Sequence, residues 1–242
     1  MVRGITVKRE DGRQFDEMRN VTITPGAQQY AEGSVVIETG NTKVLCAVSI
    51  EEGVPAFLKG QGKGWVTAEY SMLPRSTHTR ISRSRSSGGR AKEIQRLIGR
   101  SIRAVTDLGL LGEKTVTIDC DVLQADGGTR TSAITGSYVA FELACRELIN
   151  RGDLLQNPLK YPVAATSVGL VGGKLLLDLV YEEDSSAEVD FNVVMTGSGQ
   201  FVEIQATGEE FVFDHDSLMG ALDLAKKGIQ SLSELQAEVL RN

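Results

Sequence analysis

Alternation of apolar and polar residues is the clearest local signal in this chain. Thr115–Gln124 sets Val116, Ile118, Cys120 and Val122 against Thr and Asp, which predicts a strand packed on one side. Val21–Thr24, Ser34–Glu38, Thr42–Ile50 and Trp65–Met72 also read as strands, rich in Val, Ile, Thr and aromatics, with Gly40-Asn41 as a hairpin turn. Helical spacing then takes over. Ile94, Leu97, Ile98, Ile102 and Val105 predict a helix from Ala91 to Asp107, and Arg96, Arg100 and Arg103 share another of its faces. A second helix opens at Gly127-Gly128 and runs to Asn150, with Gly152 close to its end. Val163–Val171, Leu175–Tyr181, Val189–Thr196 and Phe201–Thr207 predict further strands, with Gly172-Gly173 as a turn. Ser217 to Leu240 is helical, with Ser217 as the N-cap candidate and Gly228 as a candidate interruption. This order of elements is that of an α+β protein, and Pro158 and Pro162 mark a connector rather than a flexible linker. The expectation is one domain over 1–242, its halves meeting near 157 and 158.

Composition narrows the class. With 242 residues, 41% hydrophobic and 24% charged, the chain has the make-up of a soluble globular protein able to bury a substantial core. It has no run of about 18 apolar residues, and Met1–Ile5 lacks the apolar core of a secretion signal. Cys46, Cys120 and Cys145 lie in apolar patterns and are odd in number, which predicts buried, reduced thiols and a cytoplasmic location. With His78 and His215 as the only histidines, a structural zinc site is not expected.

Charge changes the picture. The chain carries a net −6, yet Arg75, Arg80, Arg83, Arg85, Arg90, Lys92, Arg96, Arg100 and Arg103 stand against Glu93 alone. That segment is +8 and the remainder −14, a segregation that suggests one cationic face on an acidic body. The alternative is a solvated, salt-bridged helix surface. Pro74 through Gly89 is rich in Arg, Ser, Thr and Gly and reads as an exposed loop.

Candidate chemistry gathers at Gln124–Ser132, where a strand closes and a helix opens. Unpaired N–H groups and the helix dipole favour an anion there, glycine permits close approach, and Arg130 adds a forked cationic donor. Arg90, in Gly88-Gly89-Arg90, opens another helix, so the two starts together could clamp inorganic phosphate. The competing reading of the glycines is a tight turn. The acidic run Tyr181–Asp190 is a third element: Glu182 and Glu183 read as decoration of a solvated turn after a strand. Asp190 lies on a strand on the same side as Asn192, six residues from Asp184, a pair suited to proton donation or divalent-metal binding. Tyr70 reads equally as a base-stacking ring or as packing.

These residues resemble the ribonuclease PH family of phosphate-dependent 3′ exoribonucleases, which trim transfer-RNA precursors. The resemblance runs through Asp11-Gly12-Arg13, Arg19, Tyr30–Ser34, Gly60-Gln61-Gly62, Thr67–Arg75, Glu93–Arg100, Cys120–Thr131 and Val189–Thr196. It implies a ribosomal-protein-S5-domain-2-like βαβ fold with a C-terminal helix, and a homo-hexamer arranged as a trimer of dimers. It implies that Arg90, Gly128, Thr129 and Arg130 hold inorganic phosphate, that Asp184 and Asp190 are the catalytic acids, and that Mg²⁺ is required. Arg75, Arg80, Arg83, Arg85 and Arg96 are the RNA-binding candidates, although the loop before Gly88 is shorter than is usual in the family and carries Ser and Arg in place of a Lys-Gly-Lys-like run. The expected reaction is attack of phosphate on the terminal linkage of RNA, releasing nucleoside 5′-diphosphates. Its rivals are a catalytically inactive RNA-binding ring subunit and a hydrolytic metal-dependent exonuclease.

Overall fold

Two sheets back onto one buried helix. The computed structural model describes residues 9–83, 88–208 and 211–241. The first sheet has the order β1-β2-β3-β5-β4, built from β1 (Val21–Pro25), β2 (Gly33–Thr39), β3 (Thr42–Glu52), β4 (Trp65–Met72) and β5 (Lys114–Gln124). β5 pairs antiparallel with β3, placing Cys46 opposite Cys120, and parallel with β4. A parallel pair needs a crossover, supplied by α1 (Gly89–Ala104) and the single turn α2 (Leu108–Leu111). The predicted stripe on α1 is buried at Ile94, Leu97, Ile98 and Ile102, and the alternation in β5 buries Val116, Ile118, Cys120 and Val122.

The second sheet has the order β7-β6-β8-β9, from β6 (Val163–Val171), β7 (Lys174–Leu177), β8 (Val189–Thr196) and β9 (Phe201–Thr207). A short helix, α4 (Tyr181–Ser186), joins β7 to β8, and α5 (His215–Val239) follows β9. The two faces of β8 serve different layers. Phe191, Val193 and Met195 join Ala221, Ala225 and Ile229 of α5 in one core, whereas Val194 belongs to the other core. Asp190 and Asn192 share the face of Val194 and so look away from α5.

Between the sheets runs α3 (Thr129–Arg151), buried on nearly all sides from Thr131 to Leu148. Small residues let it sit close. A Cβ on Gly136 would stand 2.9 Å from Cys46 Sγ, and one on Gly33 of β2 would stand 2.1 Å from the Ala140 carbonyl oxygen. Gln236 of α5 donates to the carbonyls of Thr135 (3.0 Å) and Val163 (2.9 Å), tying α5, α3 and β6 together.

Several expectations are corrected. The strand expected to reach Tyr181 stops at Leu177, because Asp178 takes a left-handed φ of 54° and its carboxylate is bound to Arg19. Tyr181 through Ser186 is helical, not a turn. The N-cap of α5 is Asp214, whose carboxylate accepts from Ser217 N at 2.8 Å, so Ser217 lies inside the helix. Gly228 does not interrupt α5; its bare Cα admits Leu177 and the Met18 sulfur, each 3.0 Å from where a Cβ would be. The helix expected to end at Asp107 ends at Ala104, and Asp107 caps α2 through Gly109 and Leu110.

The close approach of β2 to α3 sets the first expectation. Gly33→Ala should destabilise the protein by roughly 2 kcal/mol or more, because the obstacle is helix backbone rather than a movable side chain. Urea unfolding should show a lowered midpoint with an unchanged slope.

Candidate active site

The site grows from three chain starts. Gly127 (φ 73°) and Gly128 (φ 66°) turn the backbone from β5 into α3 through the left-handed region. A Cβ on Gly127 would lie 2.3 Å from the Leu179 carbonyl oxygen and 3.0 Å from Tyr181 N, so this turn is pressed against the chain entering α4. Tyr181 N also donates to Asp126 Oδ1 at 3.2 Å. Neither α3 nor α1 has a side-chain N-cap, and a helix start without one has N–H groups and a dipole end that favour an anion.

The charged residues expected from the sequence do converge. Arg130, in the first turn of α3, and Arg90, in the first turn of α1, both act electrostatically on Asp184 and on Asp190. Burial raises the pKa of Asp184, and both arginines and Arg19 pull it back down. Burial, reinforced by the charge of Asp184, pushes Asp190 up to about 6. Asp190 Oδ2 accepts from Asn192 Nδ2 at 2.7 Å, while its Oδ1 is buried without a hydrogen-bond partner among the described residues. Thr129 Oγ1 meets the Tyr70 hydroxyl at 2.8 Å. Tyr70 is itself buried, so it braces the start of α3 and is closed to a nucleobase.

The basic segment divides. Arg75, Arg80, Arg83 and Arg96 are exposed, and Arg75 donates to the His78 carbonyl at 2.9 Å. Arg85 lies outside the described residues. Arg100 is paired with Glu203 of β9 at 2.7 Å, and Arg103 lies over the Trp65 ring at 4.3 Å while donating to the Val66 carbonyl. Those two support the fold, so the helix face that they share with Arg96 is not a continuous cationic surface.

Other residues were not singled out by spacing. Gln205 of β9, directly across from Asn192, accepts from Arg130 Nη1 at 3.2 Å and donates to Glu203 at 3.2 Å. Arg130 is therefore held against β9 by Gln205, with Glu93 3.9 Å from the same nitrogen. Behind the acids lies a buried ion network. Arg9 binds Glu183 at 2.8 Å and also the carbonyls of Leu177 and Asp178. Glu183 is thus an anchor rather than surface decoration, whereas Glu182 is exposed as expected. Arg19 makes a bidentate pair with Asp178 (2.6 and 2.9 Å) and donates to the Asp126 carbonyl. One guanidinium thereby fixes both the turn before α3 and the turn before α4. Arg13 and Arg19 fall within the motifs that carry the family resemblance, but their partners lie some 160 residues away, at sequence separations of 165 and 159.

Among the described residues, no group of three or more His, Cys, Asp or Glu is arranged to hold a metal ion. Asp184 and Asp190 are the carboxylates facing the two helix starts, and the unpartnered Asp190 Oδ1 offers a free lone pair. That donor set fits Mg²⁺, which characteristically takes one or two carboxylates and completes its shell from phosphate and water.

Burying Asp190 has a thermodynamic signature. In the unfolded chain its carboxyl ionises near 3.8; in the metal-free folded protein it does so at about 6. As pH rises from 4 to 6 the unfolded state releases a proton that the folded state keeps, so stability falls across this window, by roughly 3 kcal/mol at most. Asp190→Asn should therefore stabilise the metal-free protein by about 1–3 kcal/mol at pH 7.5, and the gain should vanish near pH 4. Urea unfolding of both proteins with a chelator present, at the two pH values, checks this.

Comparison with known proteins places this geometry. Residues 17–147 match the family model described as 3′ exoribonuclease family, domain 1, and residues 161–228 match domain 2 of the same family. Ribonuclease PH of Bacillus pumilus is 58% identical over 235 residues, covering 96% of this chain and 97% of the relative. Ribonuclease PH of Bacillus subtilis is 58% identical over 236 residues, covering 96% of each. Among solved structures, a chain of the Archaeoglobus fulgidus exosome with RNA bound to the active site superposes with a TM-score of 0.80 at 24% identity, covering 94% of this chain and 92% of that one. A chain of an archaeal exosome core gives 0.74 at 25% identity, covering 95% and 91%. The chain belongs to the 3′ exoribonuclease family, in its ribonuclease PH group.

Proposed function

We propose that this protein is a phosphorolytic 3′–5′ exoribonuclease acting on the 3′ ends of transfer-RNA precursors and other RNAs. The observation that carries this reading is the convergence of two arginine-bearing helix starts on two half-buried carboxylates. Nucleophile and target are both anionic. At about 4 Å and an effective dielectric near 20, each pair of unit charges repels by roughly 4 kcal/mol. Arg90, Arg130 and the amides of Gly128 and Thr129 at the start of α3 offset that repulsion and orient free phosphate in line with the terminal linkage.

A phosphate oxygen then bonds to the phosphorus of the last linkage, and the bond from that phosphorus to the neighbouring 3′ oxygen breaks. Asp190, held protonated up to about pH 6 in the free protein, gives its proton to the departing 3′ oxygen. The products are a nucleoside 5′-diphosphate and an RNA one residue shorter. Asp184 keeps the pKa of Asp190 high through its charge. Mg²⁺ would be held by the Asp184 carboxylate, and by Asp190 once it has given up its proton; when bound it supplies charge neutralisation at the reacting phosphoryl group. Arg75, Arg80, Arg83 and Arg96, together with Arg85, draw in the RNA backbone through salt-sensitive contacts.

A homo-hexamer, arranged as a trimer of dimers, belongs to the same reading. Its support is the exposed apolar surface at Tyr30, Leu155, Phe201, Phe211 and Val212, and the place of β9 as an edge strand. A cytoplasmic location is supported by three buried free thiols. No helix among the described residues is long and apolar enough to cross a membrane.

The deciding experiment incubates 3′-labelled RNA with the protein and Mg²⁺, with and without inorganic phosphate. Nucleoside diphosphate should appear only with phosphate. Monophosphate released without phosphate would mark a hydrolase, and absence of either product an inactive ring subunit. Arg130→Ala should raise the phosphate KM by at least tenfold with RNA affinity nearly intact, and Gln205→Leu should do the same more weakly by freeing the guanidinium. Asp190→Asn should abolish turnover while both ligands still bind.

A further inference from the structure

Two aromatic rings stand at the rim of the site and have no part in the reaction as derived. His78 lies on the exposed loop between β4 and α1, and Tyr181 is the first residue of α4. Their ring centroids are 6.2 Å apart, with planes inclined by 49°. Tyr181 is 52% exposed. Neither ring contributes to the core.

Both are nonetheless firmly mounted. Tyr181 N is bound to Asp126, and the Gly127 turn presses on the same backbone. The His78 loop is tied down by Ala125 N donating to the Ser76 carbonyl at 2.8 Å and by Arg75 donating to the carbonyl of His78 itself. Tyr181 and Asp184 are three residues apart on one helical turn, so their side chains are neighbours. An aromatic pair is thereby fixed within one turn of a carboxylate that feels both phosphate-site arginines.

We infer that Tyr181 and His78 form a stacking subsite for the 3′-terminal nucleobase of the RNA. Every base has a π face, so such a subsite grips the last nucleotide without regard to sequence, as an enzyme that removes all four must. The basic loop that attracts the backbone also carries one of the rings, so capture of the strand and seating of its end are coupled through residues 75 to 78. The inference rests on the RNA-processing reading above.

The test is a binding cycle without phosphate, in which no turnover occurs. Fluorescence anisotropy compares a single-stranded RNA with the same RNA ending in an abasic 3′ nucleotide. Tyr181→Ala and removal of the terminal base should each weaken binding about tenfold, the size of one base–aromatic stack, and the two together should weaken it no further. Tyr181→Phe should bind like the parent, because the ring is kept, and His78→Ala should reproduce part of the loss from a different element. Additive losses, an unaffected Tyr181→Ala, or a parent protein that ignores the terminal base would each overturn the subsite. The assay for released nucleotide is read separately: diphosphate release with additive losses sinks the stacking pair and leaves phosphorolysis standing.

Discussion

The bidentate pair between Arg19 and Asp178 is the contact on which the site depends. Arg19 lies just before the first strand, Asp178 just after the seventh, and the same guanidinium reaches the Asp126 carbonyl at the turn before α3. Asp178 holds a left-handed backbone that a residue with a Cβ adopts only under constraint, and three donors of Arg19 plus Arg13 supply that constraint. Breaking such a buried pair from one side typically costs about 3–5 kcal/mol, because the surviving charge is left without a partner. Here the cost would fall on geometry as well as stability, since the turn carrying Asp184 and the turn carrying Gly128 are positioned by the same ion.

That arrangement explains how the protein tolerates an unfavourable centre. Asp190 is half-buried with one buried oxygen unsatisfied, and the neighbouring charge of Asp184 opposes its ionisation. Two guanidinium groups partly compensate, but in the free protein they face solvent on one side and acids on the other. The centre therefore holds positive charge and raised carboxyl pKa values side by side. Rigid support comes from Arg9 and Arg19, which anchor the chain entering α4, and from Gln205, which holds Arg130 against β9.

Local periodicity made most of the fold legible. The alternation in β5, the helical stripe on α1 and the two glycines ahead of α3 all depend on neighbours within one or two turns, and the structure has them as expected. The end of β7 was not legible, because what stops it is an arginine 159 residues away. Glu183 read as surface for the same reason: its partner, Arg9, is distant in the chain. Of the candidate site, Arg90, Arg130, Asp184 and Asp190 could be put forward because glycine-rich helix starts and an acidic run leading into a strand have local signatures, and the structure brings the four together. Gln205 has none, being an ordinary strand residue until β9 pairs with β8 and sets it opposite Asn192.

Tyr70 and Tyr181 show where residue type alone stops. Both are tyrosines beside the same helix start, and nothing in their immediate sequence separates a brace from a platform. Tyr70 occupies an inward position of β4, so its ring fills the core and only its hydroxyl reaches Thr129. Tyr181 opens a helix too short to bury a face, so its ring stays at the surface beside His78. The division of labour follows from burial: a ring inside the core can transmit rigidity to the start of α3, and a ring at the rim can be covered by a ligand. One aromatic thus steadies the start of α3 from below while the other is left open at the surface.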